Sequence, residues 1–275
     1  MERALDFTVA EEFGGISGLA DFYKHLNDMG MHFILIFDPA ICTNPYNYSN
    51  TEYPALDIGV KNDIFIKHSN PPSADGTITP DETIGEEGFP GVLTGIVWPG
   101  LEGNNETTGE PYPPKSCPSA WPDYFKESTV DWWVDELEKF YKLVPYDGIW
   151  IDMNEPSNFQ DGSFQGCPDN TLENPPFVPK MSCECGDMVN KTICMSAITY
   201  PFGESGEPVN QYDAHSLYGH SMSQATKVAA DKIYGDQNKR SWLITRSSFV
   251  GSGKYTGHWL GDNYGTEAQM QSSIK

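Results

Sequence analysis

A chain of 275 residues, 38% apolar and 13% aromatic, has ample material for the core of one large α/β domain. Its 17 basic residues stand against 39 acidic ones, and the resulting net charge of −22 excludes the positive footprint that nucleic acids and anionic membrane surfaces require. A surface this acidic serves solubility, and no stretch reaches the roughly 20 apolar residues of a membrane span.

The first predicted element is a helix over residues 17–29. Leu19, Phe22, Tyr23, Leu26 and Met29 recur at helical spacing, with Ser17 as the expected cap and Gly30 as the stop. A continuous apolar strand, Phe33 to Phe37, follows and ends in Asp38. Residues 39–126 are rich in Pro, Gly, Asn, Ser and Thr and read as one long loop, with short strand candidates at 64–66 and 95–98. A loop of that length inside a compact domain is expected to carry function. Ser128 and Asp131 make a loose capping box before a helix whose Trp133, Leu137, Phe140 and Tyr141 share a face.

The run Gly148-Ile149-Trp150-Ile151 then suits a buried parallel strand, and it breaks abruptly into Asp152-Met153-Asn154-Glu155-Pro156-Ser157-Asn158-Phe159. Pro156 blocks continuation, so Asp152 is expected at the strand's carboxyl end, where parallel α/β folds bind their ligands. Residues 156–212 form a second long loop. Asp213 is the expected cap of a third helix carrying Leu217, Ala225, Val228, Ala229 and Ile233, which stops at Gly235. Trp242 to Arg246 and Thr256 to Asp262 are two further strand-like runs that end in polar side chains.

Strands finishing in Asp38, Asp152, Arg246 and Asp262, with helices between the first three, predict consecutive βα units of a (β/α)₈ barrel, an α/β fold of which about half is present. The runner-up, an open doubly wound sheet, lacks a Gly-rich phosphate loop, and Gly251-Ser252-Gly253-Lys254 is too short to be one.

Six cysteines and three sequons, at Asn47, Asn105 and Asn190, point to the secretory pathway. The start, Met1-Glu2-Arg3-Ala4-Leu5-Asp6, has no apolar leader, so the chain is expected to be an internal piece of a longer precursor. Cys183-Glu184-Cys185 has no partner His or Cys pair at ligand spacing and is a poor zinc site. Disulfides among Cys42, Cys117, Cys183 and Cys185 are expected instead, in any of three pairings. His215, His220 and His258 are expected to be hydrogen-bonded framework residues rather than metal ligands.

The stretch Trp150 to Phe159, together with Arg246-Ser247-Ser248-Phe249 and Gly257-His258-Trp259-Leu260-Gly261-Asp262-Asn263, resembles the catalytic motifs of the family-31 glycoside hydrolases, the α-glucosidases. The resemblance implies barrel strands three to six. It implies Asp152 as nucleophile and Asp262 as general acid/base, and a sugar pocket shaped by Ile36, Trp98, Trp150, Met153, Arg246 and Trp259. It also implies a Cys167–Cys194 disulfide, an insertion at 101 to about 120, and no metal or organic cofactor. In the family a hydroxyl-clamping Asp lies just before this chain's start and a pocket His lies beyond Lys275. The remaining strands and flanking β-domains are missing as well, so the piece alone is expected to fold poorly and to be inactive.

The chemistry fits the residue types. Splitting a glycosidic bond with retention takes two carboxyl groups about 5 to 5.5 Å apart, one ionised and one protonated. Arg246 is expected to hold Asp152 in its charged form, and Trp259 to wall Asp262 off from water and raise its pKa. Asp38 and Glu155 are assigned to hydrogen bonding around the pocket. The expected substrate is the terminal α-linked glucose of a maltose-like oligosaccharide, starch or glycogen. The alternatives are another α-glycosidase or transglucosylase of the same family, a non-catalytic carbohydrate-binding barrel, and a metal-dependent enzyme using Asp38, Asp152 and Glu155. The compartment is expected to be the lysosome, the exterior, or the outer side of a membrane-anchored enzyme.

Overall fold

Four short parallel strands carry the architecture of the computed structural model, which describes residues 5–43, 52–71, 73–86, 88–97, 117–178, 188–203, 205–237 and 239–274. They are β1 (Ile34–Phe37), β2 (Gly148–Ile151), β3 (Leu243–Thr245) and β4 (Gly257–His258), hydrogen-bonded in chain order. Among the described residues the α-helices are α1 (Gly15–Asp28), α2 (Pro54–Lys61), α3 (Glu127–Leu143), α4 (Gln211–Ala214), α5 (Tyr218–Tyr234) and α6 (Glu267–Ile274). Parallel neighbours need a crossover, and α3 and α5 supply it for the first two steps, as the predicted βα succession requires.

The two faces of the sheet differ. Phe37, Ile149, Ile151, Leu243 and Thr245 are buried, on the face that the helices cover. The alternate residues Ile36, Trp150 and Ile244 stand in one register row with Gly257 and are only half-buried. In a closed barrel such a row forms an interior layer. On the helix side, Trp133 of α3 is fully buried, donates from Nε1 to Thr226 Oγ1 of α5 at 3.0 Å, and meets Phe7, Phe37 and Tyr124 edge-on.

Several local expectations are corrected. Ser17 caps nothing: Gly14 and Gly15, at φ 76° and 62°, turn the chain into α1 two residues earlier, a conformation that glycine adopts without strain. The apolar stripe of α1 has no buried member, and Phe22 and Met29 are exposed. Ser128 and Asp213 lie inside α3 and α4, and neither helix has a side-chain cap. The third helix is broken by a 3-10 turn at His215–Leu217, and Val228 points outward.

The long loop 39–126 is not structureless. It holds α2, started by Pro54 at its first position, and a small antiparallel sheet joining Ile41–Cys42, Ser119–Ala120 and Thr94–Gly95. Ile64, Phe65 and Ile66 are buried; Phe65 bridges Pro122. Cys42–Cys117 closes this region, which selects one of the three open pairings, and the implied Cys167–Cys194 bridge is present; both have Cα atoms 5.5 Å apart. Cys183, Cys185, Asn47, Asn105 and Trp98 lie outside the described residues.

Asp123 ties the two long loops together. Its buried carboxyl accepts from Thr199 Oγ1 at 2.6 Å and from the Tyr200 N–H at 2.9 Å. Burial pushes its pKa up to about 6 against the pull of these donors and of Lys126. The folded state therefore holds a proton that the unfolded state has released. The stabilising contribution is full below pH 3.8 and is lost as the pH rises through about 6. Denaturant titrations of the wild type and Asp123→Asn across this window are expected to differ by a slope of up to about 1.4 kcal/mol per pH unit, present only in the wild type.

Candidate active site

Strand alternation carries the register row of Ile36, Trp150 and Ile244 two residues further to Asp38, Asp152 and Arg246, on the same face and at the carboxyl ends. Asp152 is 7% exposed, and its Oδ1 lies 3.1 Å from Arg246 Nε. Arg246 is shared: Nε donates to Glu155 Oε1 at 2.8 Å and Nη2 to Oε2 at 3.2 Å, a fork that carboxylates favour. Nη2 also reaches Met153 Sδ at 3.1 Å, and the guanidinium lies 5.9 Å from the centroid of the Trp259 ring. Trp259 in turn meets Trp150 edge-on at 5.1 Å.

This arrangement reverses the expected net direction of the Asp152 shift. Burial raises its pKa. The Met153 N–H and Arg246 pull it down, while Glu155 and Asp262 add to the rise, and the net direction is upward. Arg246 is present as expected but divided between two carboxylates, so its attraction does not outweigh desolvation. For Arg246 itself, burial opposes the charge, yet Glu155, Asp152 and Asp262 raise its pKa overall.

Asp262 is close enough for its charge to act on both Asp152 and Arg246. Gly261, at φ 81°, brings it there: a Cβ at that position would lie 2.9 Å from Arg246 Cδ. The expected wall is not seen, because Asp262, Asn263 and Tyr264 are exposed and Trp259 turns to Trp150 and Arg246 instead. Asp38 is buried beside Asp6, whose carboxyl is raised well above the usual range by burial and by the Asp38 charge. Ile36 lines a groove of about 570 Å³ between the segment 5–13, α1 and β1.

Side chains that local sequence reading treats only as turn formers hold the loop after β2. Asn154 is fully buried, donating to Thr245 Oγ1 at 2.9 Å and accepting from the Ser247 N–H at 3.2 Å. Asn158 accepts from the N–H groups of Ile96 and Gln160 and donates to the Gly162 carbonyl. Gly219 opens α5 where a Cβ would lie 2.4 Å from Ser247 Oγ, so the helix start packs directly on the loop after β3. The three histidines are hydrogen-bonded: His215 to Thr192, His220 to Ser252 and His258 to Ser248. Cys167, Glu173 and Cys194 come together, but the sulfurs form a disulfide and the carboxylate accepts from the N–H groups of Met195 and Ser196 and from Ser196 Oγ.

The Glycosyl hydrolases family 31 TIM-barrel domain matches residues 1–275. Over its full length the chain is 39% identical to intestinal sucrase-isomaltase of Suncus murinus, of which it spans 12%, and 35% identical to lysosomal alpha-glucosidase of Bos taurus, of which it spans 24%. The chain therefore covers less than a quarter of either relative. Among solved structures, the Tris-bound glucosidase II alpha subunit aligns with a TM-score of 0.61 at 20% identity, over 99% of this chain and 21% of that one, a likeness of fold. A match along the whole chain, a parallel sheet in barrel order and helices at its crossovers place this chain in the TIM-barrel domain of glycosyl hydrolases family 31.

Proposed function

We propose that the protein carrying this chain is a retaining exo-α-glucosidase that removes terminal α-linked glucose from maltose-like oligosaccharides, starch or glycogen. The observation that supports this reading most is the contact of Asp152 with Arg246 at 3.1 Å at the carboxyl ends of adjacent strands, with Asp262 close enough for its charge to act on both, although 110 residues (262 − 152) separate the two acids. Asp152 attacks the anomeric carbon while Asp262 gives its proton to the departing oxygen, so that a glycosyl ester forms and the glycosidic bond breaks. Water then attacks the same carbon, gives its proton to Asp262 and releases Asp152. Each step inverts the centre, and two inversions retain it.

Burial withholds water from the attacking oxygens, while Arg246 and the Met153 N–H keep the ionised form of Asp152 within reach. Glu155 positions Arg246, with both oxygens engaged by the guanidinium. That engagement favours the acid/base reading over one in which Glu155 ligates a metal. Trp150, Met153, Trp259 and Ile36 shape the sugar pocket. No cofactor enters this chemistry, since carboxyl groups supply both the nucleophile and the proton.

The test is peptide mapping of the full-length protein after incubation with 5-fluoro-glucosyl fluoride, whose fluorine slows breakdown of the ester. Label is expected on Asp152; absence of label together with no hydrolysis of p-nitrophenyl α-glucoside would shift the reading to a sugar-binding barrel without catalysis.

Residues 1–275 form one incomplete barrel domain, and the half-buried row Ile36, Trp150 and Ile244 is its interior, to be covered by strands from elsewhere in the polypeptide. Residues 1–275 expressed alone are expected to show no cooperative thermal transition by circular dichroism and no glucosidase activity. A sharp melt with activity would sink the incomplete-barrel reading. Two disulfides and the sequon at Asn190 support a secretory route, and among the described residues no helix is long and apolar enough to cross a membrane.

A further inference from the structure

The loop that follows Asp152 is closed by a second segment, residues 188–194. The Asn158 N–H donates to the Lys191 carbonyl at 2.9 Å, the Lys191 N–H to Asp161 Oδ1 at 2.7 Å, and the Gly162 N–H to the Thr192 carbonyl at 2.9 Å. Thr192 Oγ1 donates to the Pro156 carbonyl at 2.7 Å, and His215 Nε2 lies 2.6 Å from the same oxygen. A carbonyl only accepts, so the hydroxyl proton is committed to Pro156 and the oxygen must accept from an Nε2–H of His215. His215 is deeply buried, which lowers its pKa to about 4, so the neutral ring with its single N–H is the form present near neutral pH. Two residues on, the fully buried Cys194 is bonded to Cys167, and a Cβ on Gly162 would sit 2.2 Å from Cys167 Sγ. The segment is locked from both sides.

That same hydroxyl is the third position of the sequon Asn190-Lys191-Thr192. In N-glycosyl transfer the Asn amide nitrogen bonds to the anomeric carbon of a diphospholipid-linked oligosaccharide and loses one proton. The anomeric carbon–oxygen bond breaks, and the diphospholipid leaves with its electrons. The transferase grips the sequon in an extended form through the Thr hydroxyl. In the folded protein that hydroxyl is closed by Pro156 and His215, and Lys191 sits at φ 54°, far from extended.

We propose that Asn190 receives an N-linked glycan only before residues 188–194 dock on the loop 156–162, and that docking, completed by the Cys167–Cys194 bridge, shuts the sequon to transfer. Thr192 thus has two successive uses: it is the handle for glycosylation in the open chain and the clamp on the Asp152 loop in the closed one. The inference needs the secretory route proposed above but not the glycosidase reading, and its test does not use activity.

Full-length protein made without glycans, in a secretory host whose donor synthesis is blocked, is offered to purified oligosaccharyltransferase with a diphospholipid-linked oligosaccharide. Transfer to Asn190 is read by glycopeptide mass spectrometry, with Asn190→Gln as the blank. Reduced, urea-unfolded and diluted protein is expected to accept the glycan at least tenfold faster than the folded, oxidised form. Cys194→Ser in its folded form is expected to fall between the two, because the hydrogen bonds remain and the bridge is gone. Equal rates for folded and unfolded protein, or no transfer to Asn190 even in the unfolded chain, would overturn the proposal.

Discussion

Asp152→Asn is expected to lower kcat/KM on maltose by about 10⁴-fold or more while raising the denaturation midpoint at pH 7. An amide is nearly the same shape as the carboxyl group but cannot attack the anomeric carbon, so the loss falls on the first chemical step. The gain in stability follows from the raised pKa of the native carboxyl. A group raised above its unfolded value contributes most below the unfolded pKa, and its ionised form costs stability once the pH exceeds the folded one. At neutral pH the wild type bears that cost and the amide does not. Arg246 is not orphaned by the change, since both oxygens of Glu155 remain on it. A higher midpoint at pH 7, with the gain shrinking towards zero as the pH falls below the unfolded carboxyl's pKa, is the expected thermal signature. Retention of a tenth of the activity would remove Asp152 from the nucleophile's role, and a lower midpoint at pH 7 would show that Arg246 outweighs burial after all.

Burial outweighs Arg246 at Asp152, and that balance lies beyond sequence reading. A guanidinium near Asp152 is legible, because Arg246 ends the next strand of the same sheet. How Arg246 divides its donors is not, since that depends on Glu155 turning back from a loop position four residues beyond β2. The same limit applies to scaffolding. β1, β2 and β3 show as short apolar runs and α3 and α5 as helical periods, and all five were legible, although α5 begins five residues after the expected Asp213. α2 was hidden because Pro54 at a first helical turn reads as a breaker in a segment already rich in Pro and Gly. Asn154, Asn158 and the Thr192–His215 pair act across long sequence separations through single hydrogen bonds, which leave no periodic trace. The caps failed as well: Ser17, Ser128 and Asp213 are good cap residues, but α1 begins at the Gly14–Gly15 turn, and α3 and α4 begin at Glu127 and Gln211 without a side-chain cap.

Asp262→Asn is expected to produce a loss that depends on the leaving group. On maltose, whose departing oxygen needs a proton, kcat/KM is expected to fall by about 10²–10⁴-fold. With α-glucosyl fluoride or a p-nitrophenyl α-glucoside the departing group needs little protonation, so formation of the glycosyl ester is spared and its hydrolysis becomes slow. Azide, an anion that needs no base, is then expected to restore turnover. Because azide replaces Asp152 after one inversion, the product from this variant has the α configuration. The same azide added to Asp152→Gly with α-glucosyl fluoride attacks directly and gives the β product. Opposite anomers from the two variants follow only if Asp152 bonds to the sugar and Asp262 handles the proton. The exposure of Asp262 is compatible with this division: the general base of the second step must be reached by the attacking water, while the nucleophile gains from the burial that Asp152 has. Equal losses on maltose and on the fluoride, without azide rescue, would take the proton-transfer role from Asp262 and return Gly261-Asp262-Asn263 to a turn that packs on Arg246.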